Sequence, residues 1–386
     1  MGGAVRKCAQ LARMCWLDAL FSKGLLADSR TYSRHTIVVR EEIMKRRFRA
    51  SAAGVAAAAI AAALMLAGPA AAKDQHVVGY NVSTLANPFF QGMTKGVEEG
   101  IARHPDLKLI NTSANGDAAT QTNQVLDLIN QHVSALILNP ISADAIVPIV
   151  KKANKAGIPV FTLDRGAACG KCQANFLETN NEALGKEGAD FIAKQLKARY
   201  GEIKGNVIDL EGLLGTTAGD EREKGFSEEF KSIQAKNPGL KLVARQAADF
   251  DAGKAFNIMT QLLAGHSQID AVFNGNDDNA VGAMRAIKQA NRFKPIGDKA
   301  HIIIIGIDGT EQALTAIRKG DMDATISQNP LTMAAQSVDY VEKYLSGDKK
   351  AIPQHQFWPH LLLTKDNIDG PEAKKYGLWG DEMAKK

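Results

Sequence analysis

Residues 302–307 read IIIIGI, and Asp308-Gly309-Thr310 follows without a break. A run this short, rich in β-branched side chains and lacking a polar face, reads as a strand covered on both sides, the habit of parallel sheets. Working outward, the chain predicts strands at His76–Val82, Leu107–Asn111, Ala135–Leu138 and Pro159–Leu163. A second set follows at Gly205–Leu210, Leu240–Arg245, Ala271–Phe273 and His301–Ile307. Helices are expected between them. One is Phe89–Arg103, whose Phe90, Met93, Val97 and Ile101 fall on one face. The others are Thr120–Gln131, Ala143–Ala156, Ala183–Arg199, Gly253–Leu263 and Asn279–Gln289. Strand and helix alternate, which calls for parallel sheets with right-handed crossovers. Two similar sets of about four units exceed one compact sheet, so the fold class is α/β with two doubly wound parallel-sheet lobes. No Gly/Pro/Ser-rich linker separates the sets, so crossing strands rather than a tether should form the hinge.

Composition narrows the function. The 386 residues are 45% hydrophobic and 23% charged, which excludes full-length disorder, collagen and a multi-span membrane protein. The net charge of +5 is a property of the leader. Residues 1–72 carry 11 Lys/Arg against 4 Asp/Glu, whereas the rest carries 36 against 38. A nearly neutral body argues against a nucleic-acid partner.

Lys45, Arg46, Arg47 and Arg49 precede an uncharged stretch from Ala50 to Ala72 that ends Gly68-Pro69-Ala70-Ala71-Ala72. A basic start, an apolar middle and a small-residue end mark residues 44–72 as a signal peptide cut after Ala72, in preference to a membrane anchor of about 20 residues. Residues 1–43 then stand as a dispensable extension or a misplaced start, with Met44 the natural beginning. Lys73 rather than Cys follows the cut, so no lipid anchor is expected. Cys8 and Cys15 fall in the extension. Cys169 and Cys172 sit in the loop AACGKCQ (167–173), away from the strand-to-helix position of a redox pair. No second Cys or His pair completes a zinc set. In an oxidising compartment the pair reads as a loop staple.

Parallel α/β sheets bind ligands outside the carboxyl ends of their strands. After the first strand come Ser83 and then Asn87-Pro88-Phe89-Phe90, with Asn87 a helix N-cap and Pro88 the first helical residue. That placement puts Phe89 and Phe90 at the mouth of the sheet rather than deep inside it. Later strands are followed by Asn139-Pro140, Asp164-Arg165, Asn274-Gly275-Asn276, Asp308-Gly309 and Gln328-Asn329. Amides, carboxylates and arginines suit vicinal hydroxyls, which donate and accept. Aromatic rings suit the apolar C–H faces of a sugar. The inventory holds neither a nucleophile–base pair nor a metal set, so no catalytic residue, metal or cofactor is expected.

Eight motifs now stand in order: VSTLANPFF (82–90), LILNPISADA (136–145), IPVFTLDR (158–165), LEGLLGTTAGDEREKGF (210–226), ADFDAGKA (248–255), AVFNGNDDNAVGAMRA (271–286), IIGIDGT (304–310) and ATISQNP (324–330). In this order and spacing, from about His76 to Asn367, the chain resembles the ribose-binding-protein group of type I periplasmic sugar-binding proteins, which serve ABC importers. The resemblance implies a three-crossover hinge near Glu178–Asn180, Gln328–Asn329 and Phe357–Leu361. Residues 74–179 plus 329–358 then form the first lobe, and 180–328 plus 359–376 the second. It implies that Asn87, Asp164, Arg165, Arg222, Asn276, Asp308 and Gln328 hydrogen-bond a sugar, that Phe89, Phe90 and Phe250 wall it, and that Ser83 and Asn139 line the cleft. Ile307 departs from the ribose-binding member, which has Phe there. The expected partners are a monosaccharide or polyol and an inner-membrane ABC permease with its ATPase, met by a monomer in the periplasm. A role mainly as a chemoreceptor ligand carrier is an alternative.

Two rivals are weighed on residues. A transcription repressor of the same core needs a helix-turn-helix where residues 44–72 read as an export element. A nucleotide enzyme needs G-x-G-x-x-G or G-x-x-x-x-G-K-[ST]; NVSTLANPFF (81–90) has no glycine, and GLLGTTAGD (212–220) lacks the lysine.

Overall fold

The run at residues 302–307 is covered on both faces. It lies in and beside strand β9 (Ile303–Asp308). Ile304 packs into a cluster with Ala280, Ala283 and Leu314, while Ile303, Ile305 and Ile307 pack into another with Leu184, Ile192 and Phe226. Side chains alternate across a strand, so two faces need two apolar sets. The structure, a computed structural model, describes residues 75–385. The expected signal peptide, the extension before it, Cys8 and Cys15 lie outside the described residues.

The first sheet holds β1 (His76–Val82), β2 (Leu107–Ser113), β3 (Ala135–Leu138), β4 (Val160–Leu163), β5 (Asn175–Thr179) and β11 (His355–Trp358). Their order is β11-β5-β4-β3-β1-β2, parallel throughout. Helices α1 (Pro88–Ala102) and α9 (Pro330–Leu345) bury Met93, Val97, Met333 and Val338 against one face. Helices α2 (Ala118–Asn130) and α3 (Val147–Lys155) bury Leu128, Ile129 and Val150 against the other.

The second sheet holds β6 (Gly205–Glu211), β7 (Leu240–Ala247), β8 (Ala271–Asn274), β9, β10 (Ala324–Gln328) and β12 (His360–Thr364) in order β12-β10-β9-β8-β6-β7. Only β12 runs antiparallel, against β10. Helices α4 (Asn181–Tyr200) and α5 (Thr217–Lys236) cover one face. The other carries α6 (Ala252–Gly265), α7 (Asp277–Gln289) and α8 (Glu311–Lys319). The chain passes between the sheets three times: from β5 into α4, from β10 into α9, and from β11 through Pro359 into β12. Two doubly wound lobes therefore share a three-crossover hinge.

Several elements differ from the sequence reading, which gave no range to strands β10, β11 or β12 or to helices α8 or α9. α3 begins at Val147 rather than Ala143. The Ala143 N–H instead bonds Gly215 O of the second lobe, and its carbonyl accepts from Ala168 N. β5 escaped the period-2 reading because Asn175, Glu178 and Thr179 are polar yet buried. α5 escaped because its charged residues dominate, with Phe226 and Phe230 supplying most of its apolar face. Beyond the expected lobes, the chain continues through α10 (Pro371–Tyr376) and α11 (Trp379–Ala384).

Candidate functional site

The strand ends converge on one space between the lobes. Asn87, Phe89, Phe90, Asp164 and Arg165 line it from the first lobe; Ala218, Arg222, Phe250, Asn276 and Asp308 line it from the second. The free space among them, solvent at its mouth included, is about 250 Å³. All ten lining residues except Ala218 were expected from the sequence. An alanine carries no polar or aromatic signal by which to find it.

Local geometry explains each placement. Asn87 caps α1 by accepting the Phe89 N–H at 2.7 Å, which turns both phenylalanines to the strand ends. They are more enclosed than a mouth position implies: Phe89 is 3% exposed and Phe90 4%. Asp164, Phe250 and Asp308 have φ of 66°, 59° and 134°. Non-glycine residues rarely adopt such values, and they cluster where a site demands an aimed side chain. Gly212 makes room for Phe250, because a Cβ there would run into the Phe250 ring. The Asp308 turn is anchored by Asp277, which is fully buried and accepts from Gly309 N and Thr310 N, both at 2.8 Å, and from Thr325 Oγ1 at 2.7 Å. Gly306 leaves space for that carboxylate, which would lie 2.5 Å from a Cβ.

Two expected cleft residues take a different place. Asn139 and Gln328 do not line the space. Asn139 Nδ2 donates to Asp164 Oδ2 at 3.2 Å and to Leu163 O at 3.0 Å, and its Oδ1 accepts from Ser83 Oγ at 2.6 Å. Gln328 Nε2 donates to Asp308 Oδ1 at 2.8 Å. Each amide braces a carboxylate from behind. Ser83 lines a wider outer space of the cleft, with Thr84, Leu213 and Lys254. Ile307 is packed in the second-lobe core, so the departure noted there removes no ring from the lining.

Two guanidiniums and two carboxyl groups, all buried, face one another in this space. Arg165 lies over Phe90 at 4.9 Å and over Phe250 at 5.6 Å, bridging the lobes by cation–π contact. Arg222 lies over Phe250 at 5.5 Å and donates through Nε to Asn181 Oδ1 and through NH1 to Gly275 O. It stands 3.9 Å from Asp308, as Arg165 Nε does from Asp164. Burial raises both carboxyls above their ordinary value, against the pull of the arginines. Burial also lowers Arg165, to about 10, which leaves it ionised at neutral pH. Arg165 Nε is buried without a protein hydrogen-bond partner. The formal charge of the four groups is balanced, with donors and acceptors side by side.

Cys169 and Cys172 are bonded in the loop after Arg165, 5.6 Å apart at Cα. The loop borders the cleft rim: Ala168 N bonds Ala143 O at 2.8 Å, and Gly166 N bonds Thr217 Oγ1 of the second lobe at 3.1 Å. The acidic cluster found among the described residues is Asp209, Glu211 and Glu223. Arg245 already answers it, at 3.0 Å from both Asp209 and Glu223.

Residues 78–349 match the sequence model of the family described as "Periplasmic binding protein domain". The chain belongs to the periplasmic binding protein family. Its members bind and deliver solutes rather than transform them. Among relatives of this periplasmic binding protein, the ribose import binding protein RbsB of Bacillus subtilis is 37% identical over 72% of this chain and 84% of its own. The D-allose-binding periplasmic protein of Escherichia coli is 33% identical over 70% of this chain and 85% of its own. A solved ABC transporter solute binding protein from Bacillus halodurans with bound myo-inositol superposes with a TM-score of 0.70. It is 28% identical, and the match covers 79% of this chain and 99% of that one.

Proposed function

We propose that this protein captures a monosaccharide or a related polyol in the cleft and delivers it unaltered to an ABC import permease driven by its ATPase. The observation that carries this reading is the balanced set of Asp164, Asp308, Arg165 and Arg222 between the rings of Phe89, Phe90 and Phe250. A net charge there would favour an ionic ligand. A formally balanced, buried set with fixed donors and acceptors favours vicinal hydroxyls, and unpaired buried partners would cost about 1–3 kcal/mol each, which supplies selectivity.

Closure supplies the affinity. Each lobe holds half of the lining, so one ligand satisfies both halves only when they meet, and binding shifts the equilibrium to the closed arrangement. The cleft is complete within one chain, which supports a monomer. Export after cleavage at Ala72 fits the periplasmic home of the family; N-terminal sequencing of the exported protein should begin at Lys73, and a mature chain retaining residues before Met44 would refute this.

The test is a thermal-shift screen of D-ribose, D-allose, xylitol and myo-inositol. A ligand that binds only the native state at a hundred times its Kd adds about 2.7 kcal/mol and raises the melting temperature. If no monosaccharide or polyol does so, the reading fails.

A further inference from the structure

The largest fully buried side chain among the described residues, Trp379, lies beyond residue 349, where the family match ends. It is 1% exposed and sits on α11, past both lobes expected from the sequence. Its ring meets Phe89 of the first lobe edge-on, 5.9 Å between centroids at 86°. Its Nε1–H donates to the backbone carbonyl of Asp308 in the second lobe at 2.8 Å. One side chain thus touches a cleft ring and a cleft carboxylate residue from opposite lobes.

The surroundings are shaped for it. Gly92 on α1 leaves room for the indole, which would lie 3.1 Å from a Cβ there. Gly380 lets the tail press on the turn after Asp308, since a Cβ would stand 2.5 Å from Glu311 N and 2.7 Å from Gly309 O. The tail is held at its root and tip. Tyr376 Oη donates to Ser327 O at 2.8 Å, and Asn329 Nδ2 donates to Tyr376 O at 3.3 Å, both beside a hinge crossover. Arg318 grips Asp381 with two bonds, of 2.9 and 2.7 Å.

We propose that Trp379 is a positioning residue for the cleft: wedged between Phe89 and Asp308, it sets the ring and the strained Asp308 backbone in their closed arrangement and thereby slows ligand release. This rests on the sugar-capture reading above. Asp308 has φ of 134°, a conformation that persists only where neighbours enforce it. Asp277 holds the amide side of that turn, and the indole holds its carbonyl.

The variant Trp379→Phe keeps a ring against Phe89 and removes the N–H. Binding of D-ribose, D-allose and myo-inositol to the full exported chain is followed by stopped-flow fluorescence, with stoichiometry from calorimetry. The expected result is a dissociation rate raised roughly tenfold, the value of one buried hydrogen bond, with association rate and stoichiometry unchanged. A merely structural role would lower the competent fraction and leave the dissociation rate of the rest alone; that result, or an unchanged rate, overturns the proposal. Should the wild-type chain bind none of the three and no other sugar or polyol, the sugar-capture reading fails. The positioning role is then decided in ligand-free protein by hydrogen exchange. Faster exchange at Phe90, Gly309 and Thr310 in the variant, with the sheet cores unchanged, upholds it. Equal rates at those amides overturn it.

Discussion

Replacing Arg222 with Met isolates the electrostatics of the cleft, because Met retains much of the stem while removing the charge. Two losses add. The first is one charge-assisted hydrogen bond to the ligand, about 1.5–3 kcal/mol. The second acts through Asp308. Arg222, 3.9 Å away, is the main group opposing the burial that raises this carboxyl. Without it the carboxyl rises further above its ordinary value, which adds to the loss. The lost bond alone comes to about 1.5–3 kcal/mol, or roughly tenfold to 150-fold in Kd. Asn181 Oδ1 and Gly275 O also lose their donor, so stability falls by about 1–3 kcal/mol for each. Calorimetric titration at pH 7 with whichever sugar binds the wild type reads the affinity, and denaturant unfolding verifies the fold. A folded variant whose Kd rises less than about fivefold would refute the reasoning.

Three further outcomes are expected. Phe90→Ala removes the ring beneath Arg165 and should weaken sugar binding by about tenfold to a hundredfold in titration; equal affinity would show that the ring is no wall. At the hinge, burial raises Glu178 to about 9, and its carboxyl shares a hydrogen bond of 2.8 Å with His355 Nε2, on an imidazole that burial holds below its ordinary value. A raised carboxyl contributes stability that is complete below pH 4.5 and lost as pH climbs toward about 9, at up to about 1.4 kcal/mol per pH unit. Glu178→Gln mimics the neutral form, so its stability should gain on the wild type between pH 6 and 9; parallel denaturation curves would disprove the neutral pair. Reducing the Cys169–Cys172 bond should cost about 2 kcal/mol for so short a loop, read as a lower unfolding midpoint, and an unchanged midpoint would exclude a stapling role.

Strand ends were the legible part of the site because their chemistry is local. Asp164-Arg165 and Asp308-Gly309 each follow an apolar run, so a parallel-sheet reading already places them at a carboxyl edge. The distinction between lining and bracing was not legible. Asn139 and Asp164 are the same kind of strand-end polar residue, yet one faces the cleft and the other supports it, which depends on the side-chain direction at each turn. Buried polar strands also hide. Asn175 and Glu178 look exposed by composition until Pro353 O and His355 take up their hydrogen bonds from about 180 residues away.

The sequence alone determined the two-lobed parallel architecture, the strand-end polar and aromatic residues of the cleft, and a charge balance that argues against nucleic acid. All three follow from periodicity and composition, which act over a few residues at a time. Only the tertiary structure decided that Trp379 joins the two halves of the cleft and that Arg165 spans Phe90 and Phe250. Those contacts link residues far apart in the chain, and their partners are chosen by how the lobes pack.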